Sequence, residues 1–273
     1  MRISKKSYLL VVLLSSIIGL SGCEKEVSKK EELKNTVSSI KINQENAKAI
    51  KIENTEITNV SNLDQNSTVT KIENKENFYI SNIWVGYEEV DKNGNVISNS
   101  QTFLDLTLLP GDLSAVSFPH KEYANSIKIV SYGYETEGTG VVVNLKKDSV
   151  KIKENIAKVE NSKSYEVLAL SEIYKENETE DASTYMVKIK NSSEKDLGNI
   201  SLKIGELKRD GEYITVNHLP AYNVLKPEEE IEMEVAVSSN ADKLKILGYS
   251  YDDVKEKATI DIDLKSHRVK INK

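Results

Sequence analysis

An internal repeat constrains the fold of this chain more than any other feature. The segment Ile127–Tyr134 reads IKIVSYGY, and Leu244–Tyr251 reads LKILGYSY at an offset of 244 minus 127, or 117 residues. The same offset holds without a gap back to Val69 and Met186. Similarity at a fixed offset is the signature of a repeated structural unit. We therefore expect two copies of one module.

Apolar and polar residues alternate with a period of two within each copy, which predicts β-strands. Residues 83–88 and their counterparts 200–205 alternate in the same phase, so the sequence predicts which face of this strand is buried. A turn signal follows in both copies, Asn93-Gly94 in the first and Asp210-Gly211 in the second. These dipeptides predict a two-residue hairpin turn with positive φ at both positions.

About seven alternating strands fit into each copy, and helical periodicity is absent, so the predicted class is all-β with antiparallel sheets. We predict two tandem immunoglobulin-like β-sandwich domains, module 1 over residues 47–152 and module 2 over residues 153–273. The stretches 69–118 and 186–235 resemble the FxLYD-type immunoglobulin-like modules of bacterial lipoproteins. The eponymous motif departs from that pattern, since it reads VGYEEVD from Val85 to Asp91. The resemblance implies the sandwich fold and no catalytic residues.

The N-terminus predicts export and lipidation. A basic start precedes the apolar run Tyr8–Leu20, which is too short for a typical spanning helix and fits a signal peptide. The following Leu-Ser-Gly-Cys resembles a lipobox, the cleavage site of lipoprotein signal peptidase. The resemblance implies that residues 1–22 are removed between Gly22 and Cys23. Cys23 then carries acyl chains such as palmitate, and residues 23–46 form a polar tether.

Charge and cysteine content exclude several classes. The formal net charge is −6, and losing the three cations of the signal peptide makes it about −9. A surface this acidic argues against nucleic acid as a partner. Cys23 is the only cysteine, so an intramolecular disulfide is impossible. We expect a monomer held to the extracytoplasmic side of a bacterial envelope membrane by its lipid.

Candidate catalytic and metal-binding residues are few. The three histidines lie far apart in the sequence, and no zinc-binding spacing occurs. The Asp91–Asn95 loop contains oxygen ligands suited to calcium, but its counterpart does not keep their pattern, so a turn is the favoured interpretation. We predict no metal, no cofactor and no enzymatic activity. A hydrolase using two carboxylates brought together by the fold remains an alternative.

The candidate partner-binding residues are aromatic. Phe78, Tyr79 and Trp84 have polar counterparts in module 2, so the fold does not require aromatic side chains there. We predict that they lie at an outer face and bind a protein or glycan. The alternative is that they pack on module 2, on the N-terminal segment or partly into the edge of the core. The repeated tyrosine pairs at 132/134 and 249/251 are predicted to cap the cores, with sugar stacking as their alternative.

The predicted function is therefore non-catalytic binding or scaffolding at the cell envelope. A role as an accessory subunit of a membrane transport or secretion assembly is the second hypothesis.

Overall fold

The computed structural model describes residues 41–63, 66–154, 156, 160–179, 182–238 and 241–272. The predicted signal peptide, Cys23 and most of the tether lie outside the described residues. All described residues belong to one compact unit.

The described residues form 19 strands and two single 3₁₀ turns, Val60–Asn62 and Ser162–Ser164, and no α-helix occurs among them. The predicted all-β class is confirmed. Module 1 contains β1 (Ile50–Ile52), β2 (Glu56–Thr58), β3 (Ser67–Asn74), β4 (Ser81–Val90), β5 (Val96–Leu104), β6 (Leu113–Pro119), β7 (Ser126–Thr136), β8 (Thr139–Asn144) and β9 (Ser149–Lys153). Module 2 contains β10 (Glu160–Asn161), β11 (Leu168–Leu170), β12 (Tyr174–Glu178), β13 (Ala182–Asn191), β14 (Leu197–Leu207), β15 (Tyr213–Ala221), β16 (Glu230–Ser238), β17 (Lys243–Asp253), β18 (Ala258–Asp263) and β19 (Arg268–Asn272).

These strands form three sheets. One has the order β5-β4-β7-β8-β9, with β2 also paired to β7, and another contains β11, β12, β13 and β16. The nine-stranded sheet has the order β1-β3-β6-β15-β14-β17-β18-β19-β10 and therefore joins strands of both modules. Its only parallel pair is β6 with β15, through Ser114 and Tyr213, and every other strand pair of the described residues is antiparallel. The predicted antiparallel arrangement is thus confirmed within each module.

The sequence repeat is also a structural repeat. The paired segments Ile127–Tyr134 and Leu244–Tyr251 lie in β7 and β17, which occupy the same place between their neighbours. Even an irregularity recurs, since Asn82 and Asn199 both have positive φ at a break in the strand register. The prediction of seven strands per module was too low, because short strands such as β2 and β12 lack a readable alternation.

Two clusters of buried apolar residues form the core. Strand parity is as predicted, since Ile83, Val85 and Tyr87 are buried and Trp84 is only partly so. The cluster of module 1 also includes Leu207, Tyr213 and Leu247 from module 2. The other cluster consists of module 2 residues alone. Packing at the junction of the modules therefore continues the core of module 1.

The repeated tyrosines are core residues. Tyr132, Tyr134, Tyr249 and Tyr251 are all at most 4% exposed. The Tyr134 hydroxyl donates to the Ala47 carbonyl at 2.9 Å. Burial of this kind gives the hydroxyl its required partner and leaves no ring face for a sugar. The prediction of a capping role is confirmed, and the sugar-stacking alternative is wrong.

The hairpin turn differs from the prediction in one respect. Gly94 has φ +85°, but Asn93 does not lie in the left-handed region. The Asp91 carboxylate instead accepts the backbone N–H groups of Asn93 and Asn95, each at 2.8 Å. These bonds lower the pKa of Asp91. The loop oxygens are thus used to hold the turn, which is the interpretation favoured from the sequence.

Candidate functional site

The three predicted partner-binding aromatics do not form one surface. Phe78 is 2% exposed and lies in the core of module 1, with its ring centroid 6.4 Å from that of Tyr134. The predicted outer position of Phe78 is wrong. The chain bends at this residue before β4 begins, and strand alternation therefore gives no guide to where its side chain points.

Tyr79 lies where module 1 meets module 2. Its hydroxyl accepts a hydrogen bond from the Glu137 N–H at 3.1 Å, and the Arg268 guanidinium carbon lies 5.9 Å from its ring centroid. Burial raises the pKa of its hydroxyl. Tyr79 therefore packs on module 2, as the alternative hypothesis stated.

Trp84 is the one predicted residue on an outer sheet face. Its ring lies flat over the backbone of Gly133, where the methyl group of an alanine would come within 2.4 Å of Trp84 Nε1. The ring also reaches Gly86, at 3.5 Å from the corresponding position. Because Gly133 and Gly86 have no side chains, the indole ring of Trp84 has room to lie against the sheet.

Strand register places further apolar side chains beside Trp84. Trp84 is directly opposite Phe103 on β5 and Gly133 on β7, and Gly133 is opposite Val142 on β8. Residues directly opposite each other lie on the same face. Phe103 is 72% exposed and Val142 is 38% exposed. We call Phe103, Trp84, Gly133 and Val142 the outer-face row.

Sequence reasoning missed Phe103 and Val142. Folding the hairpin at the Asn93-Gly94 turn would have brought Phe103 near Trp84, because turn position sets strand register. Val142 is separated from Trp84 by an intervening strand, and no local pattern connects the two.

The corresponding row of module 2 is polar except at Pro220, the counterpart of Phe103. Register places Ser201 opposite Pro220 and Ser250, then Ser250 opposite Asp261 and Asp261 opposite Lys270. This polar face of module 2 packs against one end of module 1. The two modules thus have the same fold but outer faces of different chemistry.

The contact between the modules is held by charged and polar pairs. Asp105 lies between Lys203 and His218, with His218 Nε2 2.5 Å from a carboxylate oxygen. Burial favours the neutral acid, but hydrogen bonds and charge from these two residues outweigh it and lower the pKa of Asp105. Thr107 Oγ1 donates to Asp263 at the same contact.

A second polar contact joins the modules close to the parallel strand pair. The Lys265 ammonium lies 2.6 Å from the Asp112 carboxylate and 4.2 Å from the Tyr213 ring centroid. Its side chain is 2% exposed, and desolvation lowers its pKa. A buried cation with a single carboxylate partner and an aromatic face fixes orientation, because losing either partner would leave a charge uncompensated.

A small cavity of about 100 Å³ remains between the modules. Several carboxylates line it, including Glu137, which is 2.5 Å from an Arg268 amino nitrogen, and Asp261. Desolvation by the surrounding protein raises the pKa of Asp261, although its side chain still reaches solvent. The volume corresponds to roughly three water molecules. Two of the lining carboxylates, Asp105 and Glu137, are held in ion pairs with Lys203 and Arg268.

In the part of the chain described here, no cluster of three or more His, Cys, Asp or Glu side chains is placed to hold a metal ion. Nor do the described residues contain a helix with the length and hydropathy needed to span a bilayer.

Comparisons with known proteins do not show a family. No family model matches the chain, and no curated protein does. Among solved structures, red sea bream transglutaminase is similar over 82% of this chain and 30% of its own, at 7% identity and a TM-score of 0.21. The Amycolatopsis orientalis exo-chitosanase CsxA matches over 71% and 25%, at 8% identity and a TM-score of 0.21. A β-glucuronidase from glycoside hydrolase family 2 matches over 80% and 25%, at 10% identity and a TM-score of 0.23. The chain thus spans about a quarter to a third of these proteins, and likenesses this low carry no functional argument.

Proposed function

We propose that this protein is a lipid-anchored, non-catalytic binding protein of the bacterial cell envelope, and that module 1 recognises its partner through the outer-face row. One observation carries the proposal. An acidic protein presents Phe103, Trp84 and Val142 side by side on a sheet face whose counterpart in module 2 is polar.

Physical reasons favour binding at this face. Exposed apolar side chains gain free energy when a partner covers them, at roughly 25 cal/mol per Å² of apolar area. Aromatic side chains in a contiguous patch are typical interface anchors. The polar row in module 2 demonstrates that the fold tolerates serine at the Trp84 position. Stability alone therefore does not require the indole.

Partner capture tests the role of the face. The full chain would be crosslinked in its envelope, solubilised in detergent and purified, alongside a Trp84→Ser/Phe103→Ser variant. Trp84→Ser installs the residue that module 2 has at this place. We expect the variant to lose its crosslinked partner while its thermal unfolding midpoint falls by no more than about 5 °C. Tyr123→Ser is a matched control, because Tyr123 is 64% exposed but lies away from the row in the sequence and in the strand register.

The outcome also distinguishes the kinds of partner. Capture of a transport or secretion assembly would identify an accessory subunit, whereas binding to immobilised glycan would identify a carbohydrate-binding module. Unchanged capture by the double variant would refute a binding role for this face. A large loss of stability would instead assign Trp84 to packing.

The anchor has an independent test. Cys23→Ala should abolish incorporation of labelled palmitate and release the chain from the membrane fraction. Mass spectrometry should find a diacylated Cys23 as the mature N-terminus. Recovery of Met1 on the mature protein would contradict the lipid anchor.

A further inference from the structure

The contact between the two modules joins an end of one to a face of the other. The end belongs to module 1 and comprises the loops around residues 79–82, 105–107 and 135–138. The face belongs to module 2 and is the outer side of β14, β18 and β19, which carries Lys203, Asp263 and Arg268. Because the modules are repeats, each should possess both surfaces.

Among the described residues, nothing covers the end of module 2. A depression of about 400 Å³ is lined there by Asn199, Tyr222, Val224 and Val254, among others. The repeat relates Asn199, Tyr222 and Val224 to Asn82, Asp105 and Thr107, which line the cavity between the modules. Within the described residues, the same surface is therefore covered in module 1 and exposed in module 2.

Three apolar side chains are exposed at the end of module 2, beside polar residues such as Asn199, Asp252 and Lys257. Tyr222 is 90% exposed, Val224 is 53% exposed and Val254 is 52% exposed. Asp105 and Thr107, the counterparts of Tyr222 and Val224, hold module 2 by an ion pair and a hydrogen bond. Exposed apolar residues in their place indicate a surface suited to being covered by apolar groups.

The free face of module 1 has the matching chemistry. Its outer-face row lies on β4, β5, β7 and β8, the counterparts of β14, β15, β17 and β18, and two of these strands, β14 and β18, belong to the face of module 2. Inside the chain, the short Asp105 meets the long Lys203. The repeat places Tyr222 at the position of Asp105 and Gly86 at the position of Lys203. At the proposed contact, the long side chain of Tyr222 would therefore meet a glycine. The ring of Trp84 extends over Gly86 and would contact Tyr222 there.

We propose that the open end of module 2 docks on the outer-face row of module 1 in a second copy of this chain. The inference rests on the proposed function, because it names the partner of the same face. It repeats between two chains the end-to-face contact that already exists within one chain. An end and a face are different surfaces, so the contact is head-to-tail and builds either a closed ring or an open row of chains.

The internal contact and the proposed external contact differ in the charge of their side chains. At the end of module 1 the internal contact adds ion pairs to the packing of Leu207, Tyr213 and Leu247, and the proposed external contact has apolar groups in place of those ion pairs. An apolar end placed on the polar face of module 2 would leave Lys203 and Arg268 without partners, which disfavours exchange between the two contacts. Anchoring in one membrane would raise the local concentration of chains, so a weak contact would suffice.

Two complementary variants test this directly. The end variant, Tyr222→Asp/Val224→Thr, gives module 2 the residues that module 1 has at those positions. The face variant is Trp84→Ser/Phe103→Ser. Each is purified as the full chain in detergent, and its mean mass is followed by sedimentation velocity up to about 200 µM, a range that suits small transient interfaces.

Wild-type chains should give a mean mass that rises with concentration beyond that of one chain. Each variant alone should stay at one chain, with an apparent Kd raised at least about tenfold. An equimolar mixture should reach two chains and stop, since it offers one working end and one working face. The mixture also verifies folding, because each variant must present its unaltered surface.

Three outcomes would overturn the inference: wild type that stays at one chain, variants that still associate, or a mixture that forms no dimer. If wild type stays at one chain while the face variant loses a captured partner from the envelope, self-association fails and the proposed function stands. If the face variant changes neither result, both fail.

Discussion

The repeated buried asparagines provide the sharpest test of the structural repeat. Asn74 is 0% exposed, and its amide nitrogen donates to the Phe78 carbonyl at 2.7 Å and the Leu108 carbonyl at 3.0 Å. Its amide oxygen accepts the Glu76 N–H at 3.1 Å. One side chain thus ties the end of β3 to two other segments.

Asn191 makes the corresponding set of hydrogen bonds in module 2. It donates to the Lys195 carbonyl at 2.7 Å and the Leu225 carbonyl at 2.9 Å, and it accepts the Ser193 N–H at 2.9 Å. There is one difference. The Ser193 hydroxyl donates to Asn191 Oδ1 at 2.7 Å and lies 3.3 Å from the Lys195 carbonyl oxygen, so it can donate to that carbonyl once Asn191 is replaced.

The loss of stability expected for Asn74→Ala follows from the backbone groups that would lose a hydrogen-bond partner. The Leu108 carbonyl keeps the Ile80 N–H at 2.9 Å, but the Phe78 carbonyl has no other donor among the described residues. An unsatisfied buried group costs about 1–3 kcal/mol, and the lost bond to Glu76 and the small cavity add to it. We expect Asn74→Ala to lower the free energy of unfolding by about 3 kcal/mol. Asn191→Ala should cost less, about 2 kcal/mol, because the Ser193 hydroxyl can then donate to the Lys195 carbonyl.

Urea unfolding would measure both changes. Trp84 is the only tryptophan, so its fluorescence reports module 1, and far-UV circular dichroism reports both modules. For Asn74→Ala, the fluorescence midpoint should fall by about 1.5 M if the m value is about 2 kcal/mol/M. The control is Asn62→Ala, at an exposed side chain, which should cost less than about 0.5 kcal/mol. A loss below about 1 kcal/mol for Asn74→Ala, or a larger loss for Asn191→Ala, would refute the reasoning.

Three further predictions concern the outer-face row, the module contact and alkaline pH. In Gly133→Ala, the added methyl group would displace the Trp84 ring. Tryptophan fluorescence emission should therefore shift to the red, and the free energy of unfolding should fall by about 1–2 kcal/mol. An unchanged emission spectrum would contradict the contact between Trp84 and Gly133. A double-mutant cycle of Arg268→Ala and Glu137→Ala should give a coupling free energy of about 1–2 kcal/mol in thermal unfolding, whereas strict additivity would mean that the ion pair does not couple the modules. Burial raises the pKa of Tyr132 from 10 to about 12, so its contribution to stability is present below pH 10 and is lost as pH rises through 12. Tyrosinate absorbance followed with circular dichroism should show a fraction of the tyrosines ionising only on unfolding, and complete ionisation of a folded chain near pH 10 would disprove their burial.

The sequence was informative where structure depends on neighbouring residues. Alternation along one strand identified Ile83 and Val85 as core and Trp84 as outward, because successive side chains in a strand point to opposite faces. The repeat identified β7 and β17 as counterparts for the same reason, since equal local patterns fold alike. The conservation of the tyrosine pairs between the copies predicted their burial.

The candidate site was only partly predictable. Trp84 was found, but Phe78 turned inward at an irregular segment, and Tyr79 was covered by Arg268. The exposure of Phe103 and Val142 beside Trp84 depends on the register of four strands. Register across a sheet is a long-range property that no single window of sequence contains.

By itself, the sequence determined that two β-built modules follow one another and which side of each strand is apolar. Both are consequences of local periodicity. Only the tertiary structure decided that the end of one module meets the face of the next, through contacts such as Asp105 with Lys203. These residues lie 98 positions apart, and their meeting depends on how two finished surfaces fit together. The same fit leaves Tyr222 exposed at the end of module 2 and Trp84 on the outer face of module 1, because the junction between the described modules uses the end of module 1 and the face of module 2.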